Sequence, residues 1–335
     1  MNNHAEIIEN HQDMDFSKAE SSFIKNDYGA VVLIQGYSFT FVSFGLMVGL
    51  GALLSSLHIL FYLGSYQILA KPAQIYQLGL AVALGAPLSA YVITRVLDLK
   101  TWLSGEKNFF EYIRTVSFGL WGGLVGGLLI LIGFAALTQT PLLALFDSFA
   151  VGIPLAQVLG RLGCLNYGCC HGRECSSDHQ LGIRYSNPQT KVLRYNPELK
   201  GKRLYPTQIY SVLGNLIIYT FILILWLNWD ARPVGTLAAV YMSLHGLKRF
   251  SVEFLRGESP RVYFKGLTLW QWFSMGFMVT GLGLLTFVIN STAAVGVGDF
   301  TLGFQSMQSA LGILILVSII FGLAYGTHGR KIGSW

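Results

Sequence analysis

The stretch from Pro206 to Trp229, PTQIYSVLGNLIIYTFILILWLNW, runs 24 residues without an acid or a base. About 20 such residues, wound as a helix, cross the roughly 30 Å hydrocarbon core of a bilayer. Charge-free windows of this kind recur at Tyr28 to Ala70, Pro72 to Thr94, Thr115 to Phe146, Gly266 to Gly298 and Phe300 to Gly329. Two more apolar stretches carry charges: 142–163, with Asp147 and Arg161, and 235–256, with Lys248, Arg249, Glu253 and Arg256. The windows predict an all-α polytopic membrane protein of about 7–8 transmembrane helices with a Gly/Cys/Arg-rich extramembrane loop region. No window alternates with period two over ten residues, which argues against a transmembrane barrel.

Composition agrees. Of 335 residues 53% are hydrophobic and 12% charged, about half the charged share of a soluble domain, and mean hydropathy is +0.51. This excludes a soluble enzyme, a disordered chain and a nucleic-acid binder. Residues 1–28 form a polar tail without the basic and apolar regions of a cleavable signal, so the first span is expected to act as the membrane signal. The first window exceeds one helix, which predicts a span plus an interfacial or re-entrant piece. The expected organisation is a tail at 1–28, a transmembrane domain at 29–290 with its loop at 164–205, and an additional span with a short tail at 291–335. The Gly and Ser residues of that last span suit helix packing, with a plain anchor as the simpler reading.

Ionisable residues inside spans are costly and are functional candidates by default. His245, Arg249, Glu253 and Arg256 are spaced four, four and three apart, which puts them on one helical face. An Arg and a Glu one turn apart neutralise each other, although a juxtamembrane basic cluster explains the run equally well. The stretch Gly160-Arg161-Leu-Gly163-Cys164-Leu-Asn-Tyr-Gly168-Cys169-Cys170-His171-Gly172-Arg173 suggests backbone leaving a helix and approaching something closely. Its two arginines suit a phosphate, and phosphate held at a membrane is a lipid headgroup. The simpler alternative is a Gly-rich turn anchored at the interface. In Tyr205-Pro206-Thr207-Gln208-Ile-Tyr210, proline suits the first turn of a helix and places Gln208 and Tyr210 near the boundary.

All four cysteines fall in the pattern C-x4-C-C-x4-C, with His171 and His179 nearby. The spacing is not C-x2-C, and adjacent cysteines rarely both ligate one tetrahedral zinc, so zinc is the least favoured of three readings. A disulfide in an oxidising compartment and packed free thiols stay open. A thiol beside Arg161 and His171 would be acidified and nucleophilic.

Taken together, the motifs at 160–173, at 205–210, Arg-Phe-x-Val-Glu-Phe-x-Arg at 249–256 and Gly266-Leu-Thr-Leu-Trp-Gln271 resemble, in order and spacing, the prolipoprotein diacylglyceryl transferase family. The resemblance covers most of residues 40–290. It implies a multi-pass enzyme of the bacterial inner membrane that moves the diacylglyceryl group of phosphatidylglycerol onto the lipobox cysteine of a preprolipoprotein. Glycerol 1-phosphate leaves, no metal or organic cofactor takes part, and the partners are these two substrates and membrane lipids, not nucleic acid. Carried over by motif, Arg161 and Arg249 hold the phosphate, Glu253 orients Arg249, and Gly172 keeps the loop uncrowded. Gly163, Arg173, Gln208, Tyr210 and Arg256 complete the expected substrate-binding set.

The sequence departs from the family pattern at Trp121, where the family has His, at Cys164 for Asn, at Cys169 for Glu, at Phe44 for Tyr and at His245 for Tyr. With the usual histidine replaced, His245 is the expected base and His171 the second candidate. The competing readings are a non-catalytic phospholipid-binding or transport protein that keeps the headgroup site, and a membrane thiol or metal protein. Lys and Arg concentrate in the loops at 95–114, 164–205 and 257–265, and the positive-inside rule puts those loops in the cytoplasm. Transfer to a lipobox cysteine requires the opposite, and the chemical argument is preferred, with the 164–205 loop facing outward.

Overall fold

With no water in the bilayer core, each backbone N–H and C=O must be satisfied within its own segment. In the computed structural model, each of the apolar windows accordingly contains a helix. The structure describes residues 31–328 apart from 38, 70, 98, 100–102, 106–119, 177–180, 258–261 and 292. The tail at 1–28 and His179 therefore lie outside the described residues. Helices α1 (Ser43–Ser65), α2 (Pro72–Leu97), α3 (Leu120–Thr138) and α4 (Leu142–Tyr167) are followed by the short α5 (Lys191–Tyr195). Then come α6 (Thr207–Asn228), α7 (Thr236–Glu253), α8 (Leu269–Ile289), α9 (Phe300–Ser309) and α10 (Leu311–Gly326).

By length and apolarity α1, α2, α4, α6 and α8 qualify as spans, and α9 with α10 makes a sixth, bent by 62° at its break. The other two expected spans are also helical. α3 is a 19-residue uncharged helix whose side chains are described over Val125–Thr138, and α7 carries the charges discussed above. The long first window divides into one span, α1, and a further piece before it. Its start is β1 (Val32–Gln35) paired antiparallel with β2 (Thr40–Val42), directly before α1. Branched and aromatic residues on either side of a turn at Gly36 and Tyr37 favour strands there.

α4 is the hub, packed against α1, α6 and α7, while α8 lies on α7 and α3 on α2. The C-terminal helix does more than anchor. A Cβ on Gly45 of α1 would sit 2.2 Å from Gly326 Cα, so α10 and α1 touch backbone to backbone, and Ser318 Oγ donates to Gly49 O at 2.7 Å. A third strand, β3 (Thr327–His328), then pairs with β2. Burial and the charge of Arg194 lower the His328 pKa to about 4, so the ring packs as a neutral group on Tyr167, centroids 6.2 Å apart.

At the opposite end Asp147, fully buried in α4, caps α7. Its Oδ2 accepts from Gly235 N at 2.7 Å and its Oδ1 from Ala238 N at 2.8 Å. These are donors that the first turn of a helix cannot satisfy internally. Asp147→Ala is expected to lower stability by about 2 kcal/mol or more, since two charge-assisted bonds at a helix start are lost. A thermal-unfolding midpoint in detergent that matches wild type would refute this role.

Candidate active site

The Gly/Cys/Arg stretch gets its shape from three clamps. α4 runs on through Arg161 and Cys164 and stops at Gly168, whose left-handed conformation turns its N–H back to Cys164 O. Beyond it the chain lies beside the end of α7, with Arg173 N donating to Leu255 O at 2.9 Å and Gly257 N to His171 O at 3.0 Å. At Gly172 a Cβ would stand 2.3 Å from Tyr205 O, so only glycine permits this approach.

The third clamp explains the 205–210 motif. Thr207 Oγ1 donates to Cys170 O at 2.8 Å, and Gln208 Nε2 donates to Cys169 O at 2.9 Å. Gln208 also reaches Tyr185 Oη at 3.3 Å, and Tyr185 donates in turn to Leu165 O at 2.9 Å. Gln208 and Tyr185 are buried. The bonds of Thr207 and Gln208 hold two of the loop's carbonyls, and that of Tyr185 holds the last turn of α4.

The charged face of α7 meets this loop. Arg249 Nη1 lies 2.7 Å and Arg256 Nη1 3.9 Å from Glu253 Oε2, and Glu253 Oε1 accepts from Thr268 Oγ1 at 3.4 Å. Thr268 is also the N-cap of α8, in a reciprocal capping box with Gln271, which gives the 266–271 motif its structural sense. The Arg249 guanidinium lies over the Trp270 ring, 5.6 Å from its centroid.

Arg161 enters from α4, and its charge acts on His245, Lys248 and Arg249. Lys248 Nζ donates to Asn215 Oδ1 and lies 3.4 Å from His245 Nδ1. Tyr241 Oη lies 3.3 Å from the same His245 nitrogen. Among the described residues of this cluster, four cations (Arg161, Lys248, Arg249 and Arg256) stand against a single carboxylate, Glu253, which pairs with Arg249 and Arg256. An excess of fixed positive charge under apolar helices is suited to a phosphate group.

The sulfurs of Cys164, Cys169 and Cys170 lie within 4.8 Å of one another, and all are free thiols. Cys170 has φ +56°, and this left-handed step accompanies the convergence of neighbouring side chains that spacing alone argued against. Hydrogen bonds with Cys164 and then Cys169 hold the Cys170 thiol well below its ordinary range, and Arg256 and Arg161 act in the same direction against burial. Cys169 is pushed well up by its bonds with Cys164 and Cys170 and by burial. The Arg161 guanidinium itself hydrogen-bonds Cys170.

The structure thus brings Arg161, His245, Arg249, Glu253 and Arg256 together, with Gly172 beside Arg256 through a backbone bridge. It sets other expected residues apart. Gly163 faces α1, where a Cβ would meet Phe44 Cδ2 at 3.0 Å. Arg173 is exposed, its guanidinium 5.8 Å from the Tyr205 ring centroid. Tyr210 lies within electrostatic reach of Cys175 and Tyr205. His171 is buried, with Nδ1 3.0 Å from its own loop's Gly172 O. The side chain of Trp121 lies outside the described residues. Sequence reasoning missed Thr207, Tyr185, Thr268 and Trp270. Of these, Thr207, Thr268 and Trp270 stand inside quoted motifs, and Tyr185 carried no signal.

A family model for prolipoprotein diacylglyceryl transferase matches residues 31–287. The chain is 28% identical to phosphatidylglycerol–prolipoprotein diacylglyceryl transferase 2 of Clostridium perfringens over 260 residues, 78% of this chain and 95% of that one. It is 25% identical to the phosphatidylglycerol–prolipoprotein diacylglyceryl transferase of Clostridium tetani, over 77% of this chain and 96% of that one. The enzyme of the same name from Helicobacter pylori J99 is 27% identical over 62% of this chain and 70% of its own. With residues 31–287 of 335 inside the family match and the motif arginines gathered around Glu253, the chain belongs to the prolipoprotein diacylglyceryl transferase family.

Proposed function

We propose that the protein transfers the diacylglyceryl group of phosphatidylglycerol to the lipobox cysteine thiol of preprolipoproteins, working in the bacterial inner membrane. The observation that carries this reading is the meeting of Arg161 with the Arg249–Glu253–Arg256 face. Charge grows on the phosphate ester as the glycerol carbon–oxygen bond breaks. Cations already fixed in place stabilise that charge without reorganising. The attacking sulfur comes from the substrate, so the protein needs only to take its proton. His245 is the proposed acceptor through Nε2, because Nδ1 faces Tyr241 and Lys248. Residues 29–290 form the proposed catalytic unit, with the 164–205 loop on the outer side.

The test is rescue of a strain depleted of its own transferase, together with a topology reporter fused near residue 190. Rescue, release of glycerol 1-phosphate and an external reporter signal are the expected results. A cytoplasmic reporter signal, or phosphatidylglycerol binding without glycerol phosphate release, would overturn the transferase reading; the second result would favour a lipid-binding protein.

A further inference from the structure

We propose that Cys164, Cys169 and Cys170 form a three-thiolate site for one zinc ion, with the fourth position open to the substrate thiol. Only the fourth-ligand assignment rests on the transferase reading. Zinc–sulfur bonds of about 2.3 Å require sulfurs roughly 3.8–4.0 Å apart in tetrahedral or trigonal sites. The three sulfurs, all within 4.8 Å of one another, need only small rotations to reach that spacing. The backbone is already committed to this arrangement. Thr207 and Gln208 hold the carbonyls of Cys170 and Cys169, and Cys170 keeps a left-handed φ of +56° that a non-glycine residue adopts only when its surroundings impose it.

Charge and outer contacts fit as well. Three thiolates and one divalent cation leave a single negative charge, and Arg161 and Arg256 face Cys170. An N–H donor on a ligating sulfur is the outer contact that orients such a ligand, and Arg161 supplies it. A closed four-ligand site would be structural, whereas three protein ligands leave a position for chemistry.

That position suits this reaction. A lipobox thiol binding there would lose its proton to His245 and become a metal-held thiolate beside the phosphate-binding arginines. Its sulfur then bonds to the glycerol carbon as the carbon–oxygen bond to phosphate breaks. The leaving oxygen keeps the bonding pair and departs on glycerol 1-phosphate. The neutral thioether product is a weak ligand and dissociates. The same substitutions that remove the family's Asn and Glu, Cys164 and Cys169, thus supply two of the three ligands.

The protein purified from membranes under reducing conditions is expected to carry about one zinc per chain by elemental mass spectrometry. Cys164→Ser, Cys169→Ser and Cys170→Ser should each lose it at least tenfold, and Cys175→Ser should retain it. Cobalt-loaded wild type should show sulfur-to-cobalt charge-transfer absorption that shifts with a lipobox cysteine peptide and not with its serine analogue. If a serine variant does not fold, the wild-type metal content and cobalt spectrum decide by themselves. Wild type that neither carries nor takes up zinc, or a disulfide mapped among the three cysteines, would overturn the site. Rescue of the depleted strain by metal-free protein removes the zinc and leaves the transferase reading. Zinc bound without glycerol phosphate release does the reverse.

Discussion

Arg161→Ala is expected to cut glycerol 1-phosphate release in phosphatidylglycerol proteoliposomes by about 10²–10³-fold, the usual loss when one preorganised donor to a developing oxyanion is removed. The reason lies in where Arg161 comes from. Every other cation of the cluster stands on α7 or at its end, whereas Arg161 reaches the group from α4. It has no ion pair with a carboxylate among the described residues, so its removal breaks no bridge that holds helices together. The loss should therefore fall on the rate of transfer, with the unfolding midpoint close to wild type. Arg161→Lys should recover only part of the activity. It keeps the charge but loses the planar fork that can bind two phosphate oxygens, or one oxygen and the Cys170 sulfur, at once. Activity within tenfold of wild type for Arg161→Ala would remove it from phosphate binding.

How far such a site can be read before folding depends on the distance over which its geometry is set. The α7 face was legible because helical spacing is a local rule. Residues four, four and three apart must stack on one side, and Arg249, Glu253 and Arg256 do. The helices were legible for the same kind of reason, since charge-free length is a property of the segment alone. Span count was less so. α7 fails an apolarity test because it carries the site, and the C-terminal window is broken between Ser309 and Leu311.

What the sequence could not convey was set by contacts across the chain. Gln208 reads as a boundary polar residue, yet 39 residues separate it from the Cys169 carbonyl that it holds. Asp147 reads as an isolated charge in a span, and its partners lie 88 and 91 residues away at the start of α7. The cysteine spacing argued against a shared metal, because adjacent side chains ordinarily diverge. The left-handed step at Cys170 is a backbone fact that no spacing rule contains.

Glu253→Ala is expected to have the largest structural effect of any single change at the site. The carboxylate is 2% exposed and lies 2.7 Å from Arg249 and 3.9 Å from Arg256, with Thr268 at the start of α8 donating to its other oxygen. Removing one partner of a buried pair costs about 3–5 kcal/mol, because the charge left behind remains desolvated. Here two guanidiniums would be left facing each other, at 17% and 14% exposure, so solvent relieves part of the cost and the lower end of that range applies. The expected results are a clearly lowered unfolding midpoint in detergent, less protein in the membrane and no measurable transfer. Because misfolding alone would stop transfer, the informative comparison is Glu253→Gln. The amide is similar in shape and can still accept from Thr268 but carries no charge, so the α7–α8 junction should persist while Arg249 loses its counterion. Protein that folds normally and transfers at least tenfold more slowly would show that Glu253 acts through the position of Arg249. Wild-type transfer by Glu253→Gln would show that the carboxylate serves packing alone, and the phosphate site would then rest on Arg161 and Arg256.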